Sequence, residues 1–132
     1  MSKKTKGINA EREIIHFFWK TEDWAAVRVA GSGSMRYPSA DILAGKKGRK
    51  LAIECKSVKN EKMFFSKEDL SQLLEFSRRY DAEPWVAVRF DKEGWYFFAA
   101  NIVMQEGTGK AISREKAKIY GVGFKELVGE VR

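Results

Sequence analysis

The stretch Lys50-Leu51-Ala52-Ile53-Glu54-Cys55-Lys56-Ser57 has the alternation of a β-strand, and its reading decides the fold. Successive side chains of a strand point to opposite faces, so Leu51, Ile53 and Cys55 share one side and Ala52, Glu54 and Lys56 the other. One side can pack; the other must be wet, paired or working. Upstream, Ser39 to Gly45 runs into a Gly- and Lys-rich segment, Gly45 to Lys50, which reads as the turn of a hairpin. A turn centred on Lys47 and Gly48 sets Ala44 against Leu51 and Ile42 against Ile53, and brings Asp41 opposite Glu54. Two carboxylates facing each other across strands destabilise a sheet unless something lies between them. A hard divalent cation resolves that conflict, because Mg²⁺ is commonly held by one or two carboxylates with water and phosphate oxygens. Lys56, two residues on, would then present a positive charge to a scissile phosphate or to the attacking water. The plain alternative is a solvent-facing strand with Glu54 and Lys56 as a surface pair.

The rest of the chain weighs on that choice. It has 132 residues, enough for one domain, read here as residues 1–132. At 44% hydrophobic residues the composition is that of a globular protein, not a disordered one. Lys and Arg number 25 against 18 Asp and Glu, a net charge of +7 that points to a polyanionic partner. No basic amphipathic helix stands out, which favours nucleic acid over a membrane surface. The apolar runs are too short to span a bilayer, and Met1 to Gly7 leads into no signal-like core. The expectation is a cytoplasmic protein at the nucleoid. One cysteine excludes an intrachain disulfide and a multi-Cys zinc site.

A helix is expected from Ile8 to Lys20, with Glu11, Ile14, Ile15 and Phe18 on one stripe. Glu11 there either favours the helix dipole or brings a third carboxylate to the hairpin; Arg12, on another face, is placed to reach a phosphate. Ala25 to Ala30 reads as a strand carrying Arg28, followed by Gly31 to Ser34, where backbone amides can approach an anion or simply form a linker. Met63 to Phe65 suggests another strand. Ser66 and Asp69 form a capping-box-like start to a helix with Leu70, Leu73, Leu74 and Ser77 on its packing face. Pro84 to Phe90 and Trp95 to Ala100 read as strands around a turn at Asp91 to Gly94. Beyond Asn101 only the segment Phe124 to Val128 suggests a helix. His16 is expected at the surface and Cys55 in the core.

Asp41, twelve residues, then Glu54-Cys55-Lys56 resembles the PD-(D/E)xK nuclease signature, with Pro38 where that superfamily often carries a proline. The segments Lys6 to Ile15, Val27 to Ala44, Ile53 to Ser57, Ser71 to Tyr80 and Val86 to Phe90 are similar, in order and spacing, to the archaeal Holliday junction resolvases known as Hjc. Two departures are visible: Cys55 replaces a more usual aliphatic or Met, and the segment after Arg79 lacks the glycines that often follow this helix.

The resemblance implies an α/β restriction-endonuclease-like fold, a mixed sheet flanked by helices, acting as a homodimer with Mg²⁺, for which Mn²⁺ would substitute. It implies Glu11, Asp41 and Glu54 as metal-binding acids, Lys56 as the catalytic lysine and Ser32 as a serine near the scissile phosphate. Arg12, Arg28, Arg36 and Arg89 become DNA-contacting residues. Four-way junction DNA is the implied substrate, cut in opposed strands during recombination and repair, and a sliding clamp is a further implied partner, although no clear clamp-binding peptide is visible. The alternatives are a nuclease for other branched DNA and a catalytically silent junction-binding module.

Overall fold

The computed structural model describes residues 3–31, 36–59, 62–105 and 111–129. Helix α1 (Lys3–Trp19) leads into β1 (Ala25–Arg28), then the hairpin β2 (Ile42–Lys46) and β3 (Arg49–Val58). Strand β4 (Lys62–Phe64) and helix α2 (Lys67–Tyr80) carry the chain back to β5 (Glu83–Phe90) and β6 (Gly94–Ala99). The remainder is short: α3 (Ala100–Gln105), β7 (Ala111–Ser113), α4 (Arg114–Tyr120) and α5 (Phe124–Leu127). The main sheet has the order β1-β2-β3-β5-β6, and β4 with β7 forms a second sheet of two strands.

The hairpin has the expected register, Ile42 against Ile53 and Ala44 against Leu51. Gly48 makes the turn possible with φ +86°, a value that costs a residue bearing a Cβ. Neighbouring strands are antiparallel except for β3 and β5, which run parallel with Glu54 beside Val86. A parallel pair needs a crossover and is normally covered on both faces. That corrects the one-sided reading of β3.

Ile14 and Phe18 of α1 pack with Ile42, Leu51, Ile53 and Phe97 on one face. Ala52, on the other, joins Leu70 and Leu73 of α2 with Val86, Val88 and Phe98. Along β3 the fully buried run Leu51 to Ile53 gives way at Glu54 to half-buried residues, Glu54 and Lys56 among them.

Helix α2 starts as its sequence suggests, with the Ser66 hydroxyl accepting the Asp69 N–H at 2.9 Å. It ends at Asp81 in the left-handed region (φ 60°, ψ 48°), whose N–H bonds the Ser77 carbonyl. Asp tolerates this conformation better than most residues with a side chain, so the missing glycines do not prevent the stop. Helix α1 begins five residues before the expected Ile8, and β1 stops at Arg28, two residues short of Ala30. Helices α3 and α4 and strand β7 were not anticipated.

Candidate active site

Strands β2 and β3 leave their ladder one step beyond Ile42 and Ile53. The Asp41 N–H donates to the Ile53 carbonyl at 3.0 Å, and the Asp41 carbonyl accepts from the Val29 N–H at 2.8 Å. The Asp41 carboxylate then accepts the Cys55 N–H through Oδ2 at 2.8 Å, in place of a main-chain carbonyl. Asp41 is therefore not a simple ladder partner of Glu54. It is pinned at the end of the hairpin, against the backbone of the segment that carries Glu54 and Lys56.

The charges gathered there oppose one another. Burial first, and then the Asp41 charge, push Glu54 up to about 8, with Lys56 opposing and Asp69 adding to the rise. That rise favours the protonated form of Glu54 near neutral pH, in which it hydrogen-bonds Asp41. Glu11 reaches the same aspartate from α1. Burial and then Asp41 raise it to about 7, against the attraction of Arg28, whose guanidinium lies 3.7 Å from its carboxylate. Asp41 is thus common to both acids. Among the described residues no three or more His, Cys, Asp or Glu side chains are gathered as metal ligands would be. The donor chemistry nonetheless suits a hard divalent cation, since oxygen-only acids that hold protons against their mutual repulsion are relieved by a positive ion.

Lys56 follows on the Glu54 side of β3 and stands 3.7 Å from Asp69 of α2. Cys55 packs towards the core face with Ile53. Burial and the surrounding carboxylates push its thiol well above its ordinary value, which leaves it a poor nucleophile.

The arginines divide into two groups. Arg12 and Arg36 are exposed, whereas Arg28 and Arg89 are half-buried and occupied. Arg89 donates to Glu13 at 2.5 Å and lies over Trp95, whose indole N–H also donates to Glu13 at 2.9 Å. Sequence reading missed Glu13, because an acid off the apolar stripe of α1 looks like ordinary surface. Ser32 lies outside the described residues, as does most of the Gly-Ser segment; Gly31, at its start, has φ +72°. His16 is exposed, as expected of a surface residue.

A family model described as archaeal Holliday junction resolvase (Hjc) matches residues 2–132. The chain belongs to that family. It is 36% identical to the crossover junction endodeoxyribonuclease Hjc of Archaeoglobus fulgidus, over 96% of this chain and 98% of that protein. The solved structure of the A. fulgidus resolvase superposes with a TM-score of 0.82 at 34% identity, covering 93% of this chain and 100% of the other. A bacterial homing endonuclease shares the fold alone, with a TM-score of 0.63 at 16% identity over 98% of this chain and 94% of its own. The mixed sheet flanked by helices is the restriction-endonuclease-like fold of this family. No helix among the described residues is long and apolar enough to cross a membrane.

Proposed function

We propose that residues 1–132 form one nuclease domain that resolves four-way DNA junctions by divalent-metal-dependent hydrolysis at the end of β3. The observation that carries the reading is the pair Asp41 and Glu54, held together by the hairpin in a member of a junction-resolvase family, with Lys56 directly beside it.

Asp41 and Glu54 would hold the cation, with Glu11 as the third acid that Asp41 links to them. When bound, Mg²⁺, or Mn²⁺ in its place, supplies an activated water and neutralises charge on the phosphate and the leaving oxygen. Lys56 would direct its ammonium at the scissile phosphate, and Ser32, outside the described residues, is the serine that the family resemblance assigns to the same group. Arg12 and Arg36, both exposed, would take backbone phosphates, whereas Arg28 and Arg89 are held in place by Glu11 and Glu13. Phosphate contacts position a protein without reading sequence, so selectivity rests on branched shape.

Each chain supplies one such site, and a junction is cut in two opposed strands, so paired cleavage calls for two copies about a two-fold axis. We assign the second copy to the apolar surface where Tyr37 and Pro38 meet Phe76 and Tyr80 of α2, and where Tyr80 closes a groove with Val27 and Leu43. Tyr37 is 71% exposed, Val27 57% and Tyr80 46%, so exposed apolar side chains are grouped around this surface, and contiguous patches mark interaction sites. The enzyme would work in the cytoplasm at the nucleoid, while a sliding clamp stays an expectation of the family alone.

The test is cleavage of labelled four-way junctions, duplexes and flaps in parallel, with Mg²⁺ and with chelator. Paired symmetric nicks in the junction, lost with chelator, are expected. Uncut junctions, or duplex cut as fast, would overturn the proposal.

A further inference from the structure

The ion pair between Lys56 and Asp69 has no evident structural purpose. Its 3.7 Å separation joins two partly exposed side chains, 32% and 38% accessible. Such pairs contribute about 0–1 kcal/mol to stability. Asp69 is nonetheless held firmly. Its N–H is fixed by Ser66, and the next residue, Leu70, is buried with Leu73 in the core that also takes Ala52 of β3. The sequence pattern suggested that Asp69 completes a capping box, yet its carboxylate reaches across to β3. The helix dipole accounts for an acid at this position but not for its reach to β3. Among the described residues, the one cation it meets is Lys56.

We infer that Asp69 is a positioning residue, holding the Lys56 ammonium at the mouth of the Asp41 and Glu54 site so that the lysine meets the phosphate already oriented. This rests on the reading of Lys56 as the group that faces the scissile phosphate. A lysine has a flexible four-carbon stem whose freedom is costly to lose at the moment of reaction, and a misplaced catalytic group lowers the rate steeply. Asp69 touches neither substrate nor the reacting atoms. It acts through Lys56, and α2 thereby becomes part of the site although none of its residues belongs to the nuclease signature.

The experiment uses the full chain and the variants Asp69→Asn, Asp69→Glu and Lys56→Ala. In single-turnover cleavage at saturating junction, Asp69→Asn should lower the rate roughly 10- to 100-fold. Junction affinity without metal should hardly change, and Asp69→Glu should recover most of the rate. On a Lys56→Ala background, Asp69→Asn should add no further loss. Independently of activity, acetylation of the free protein followed by mass spectrometry should show Lys56 modified faster in Asp69→Asn, with distant lysines unaltered. Parental cleavage by Asp69→Asn, an equal loss on both backgrounds, or unchanged Lys56 labelling would each overturn the inference. A parental protein that leaves junctions uncut would instead refute the nuclease reading, and the labelling would still decide whether Asp69 holds Lys56.

Discussion

The two ends of β3 handle a carboxylate in opposite ways. At its start, Arg49 grips Glu83 of β5 through two hydrogen bonds of 2.7 and 2.9 Å. Arg49 also donates to the Leu127 carbonyl at 2.6 Å and lies over Trp24. Glu83 takes a further bond from the Trp85 indole, and its pKa is held below the ordinary carboxylate value, mainly by Arg49. At the other end, Glu54 is desolvated beside a second acid and pushed up to about 8. The two ends of β3 therefore lie beside a satisfied carboxylate, Glu83 of β5, and a frustrated one, its own Glu54. The contrast shows that the fold can neutralise an acid when structure is all that is required. Leaving Glu54 unrelieved is what the proposed cation site requires.

The largest effect should come from removing the frustration. Glu54→Gln keeps the shape but loses an anionic oxygen donor, so junction cleavage should fall by orders of magnitude while binding without metal survives or tightens. Cleavage assays and gel shifts on the same samples measure both. Near-parental cleavage would return Glu54 to the surface-pair reading, because an exposed ion pair is worth only about 0–1 kcal/mol.

An intermediate effect lies in the pH dependence of stability. The folded state binds the Glu54 proton more tightly than the unfolded chain does, and the same holds for Glu11, raised to about 7. Each contribution is complete below the ordinary carboxylate pKa and lost as pH rises through the folded value. Metal-free protein should therefore lose stability from mildly acidic pH up to about 8, as measured by urea unfolding. Glu54→Gln should flatten the upper part of that profile, and a profile that rises over this range would contradict the assignment.

The smallest effect belongs to the opposite end. Glu83→Gln should cost about 1 kcal/mol, since its charge-assisted bonds to Arg49 are partly exposed to solvent. Cleavage should be unaltered, and urea unfolding beside a cleavage assay would show a stability loss without an activity loss.

These contrasts bear on what the sequence could reveal. Period-two alternation and the glycine turn made the β2–β3 register readable, because both signals are local. The burial of both faces of β3 was not readable, since it follows from a parallel partner more than thirty residues away. The pairing of β4 with β7 is equally remote, Met63 lying against Ile112. Helix α4 did leave a trace: Ser113 accepts the Lys116 N–H as Ser66 does that of Asp69, but no long apolar stripe follows it. At the site, Asp41, Glu54 and Lys56 stood out because charge interrupts a strand pattern. Glu13 did not, because an acid off the apolar stripe of α1 looks like ordinary surface, and Asp69 did not, because an acid in the first turn of a helix is what capping and the helix dipole already favour.

The central claim is that the crowded acids at the end of β3 await a divalent cation, and calorimetry tests it directly. Mg²⁺ titrated into metal-free protein near neutral pH, in buffers of different ionisation enthalpy, should release protons from Glu54 and Glu11. The release should fade once the solution is alkaline enough to ionise both acids. It should shrink in Glu54→Gln, which has no such proton to lose. Tight Mg²⁺ binding without proton release, or the same release from Glu54→Gln, would contradict the claim.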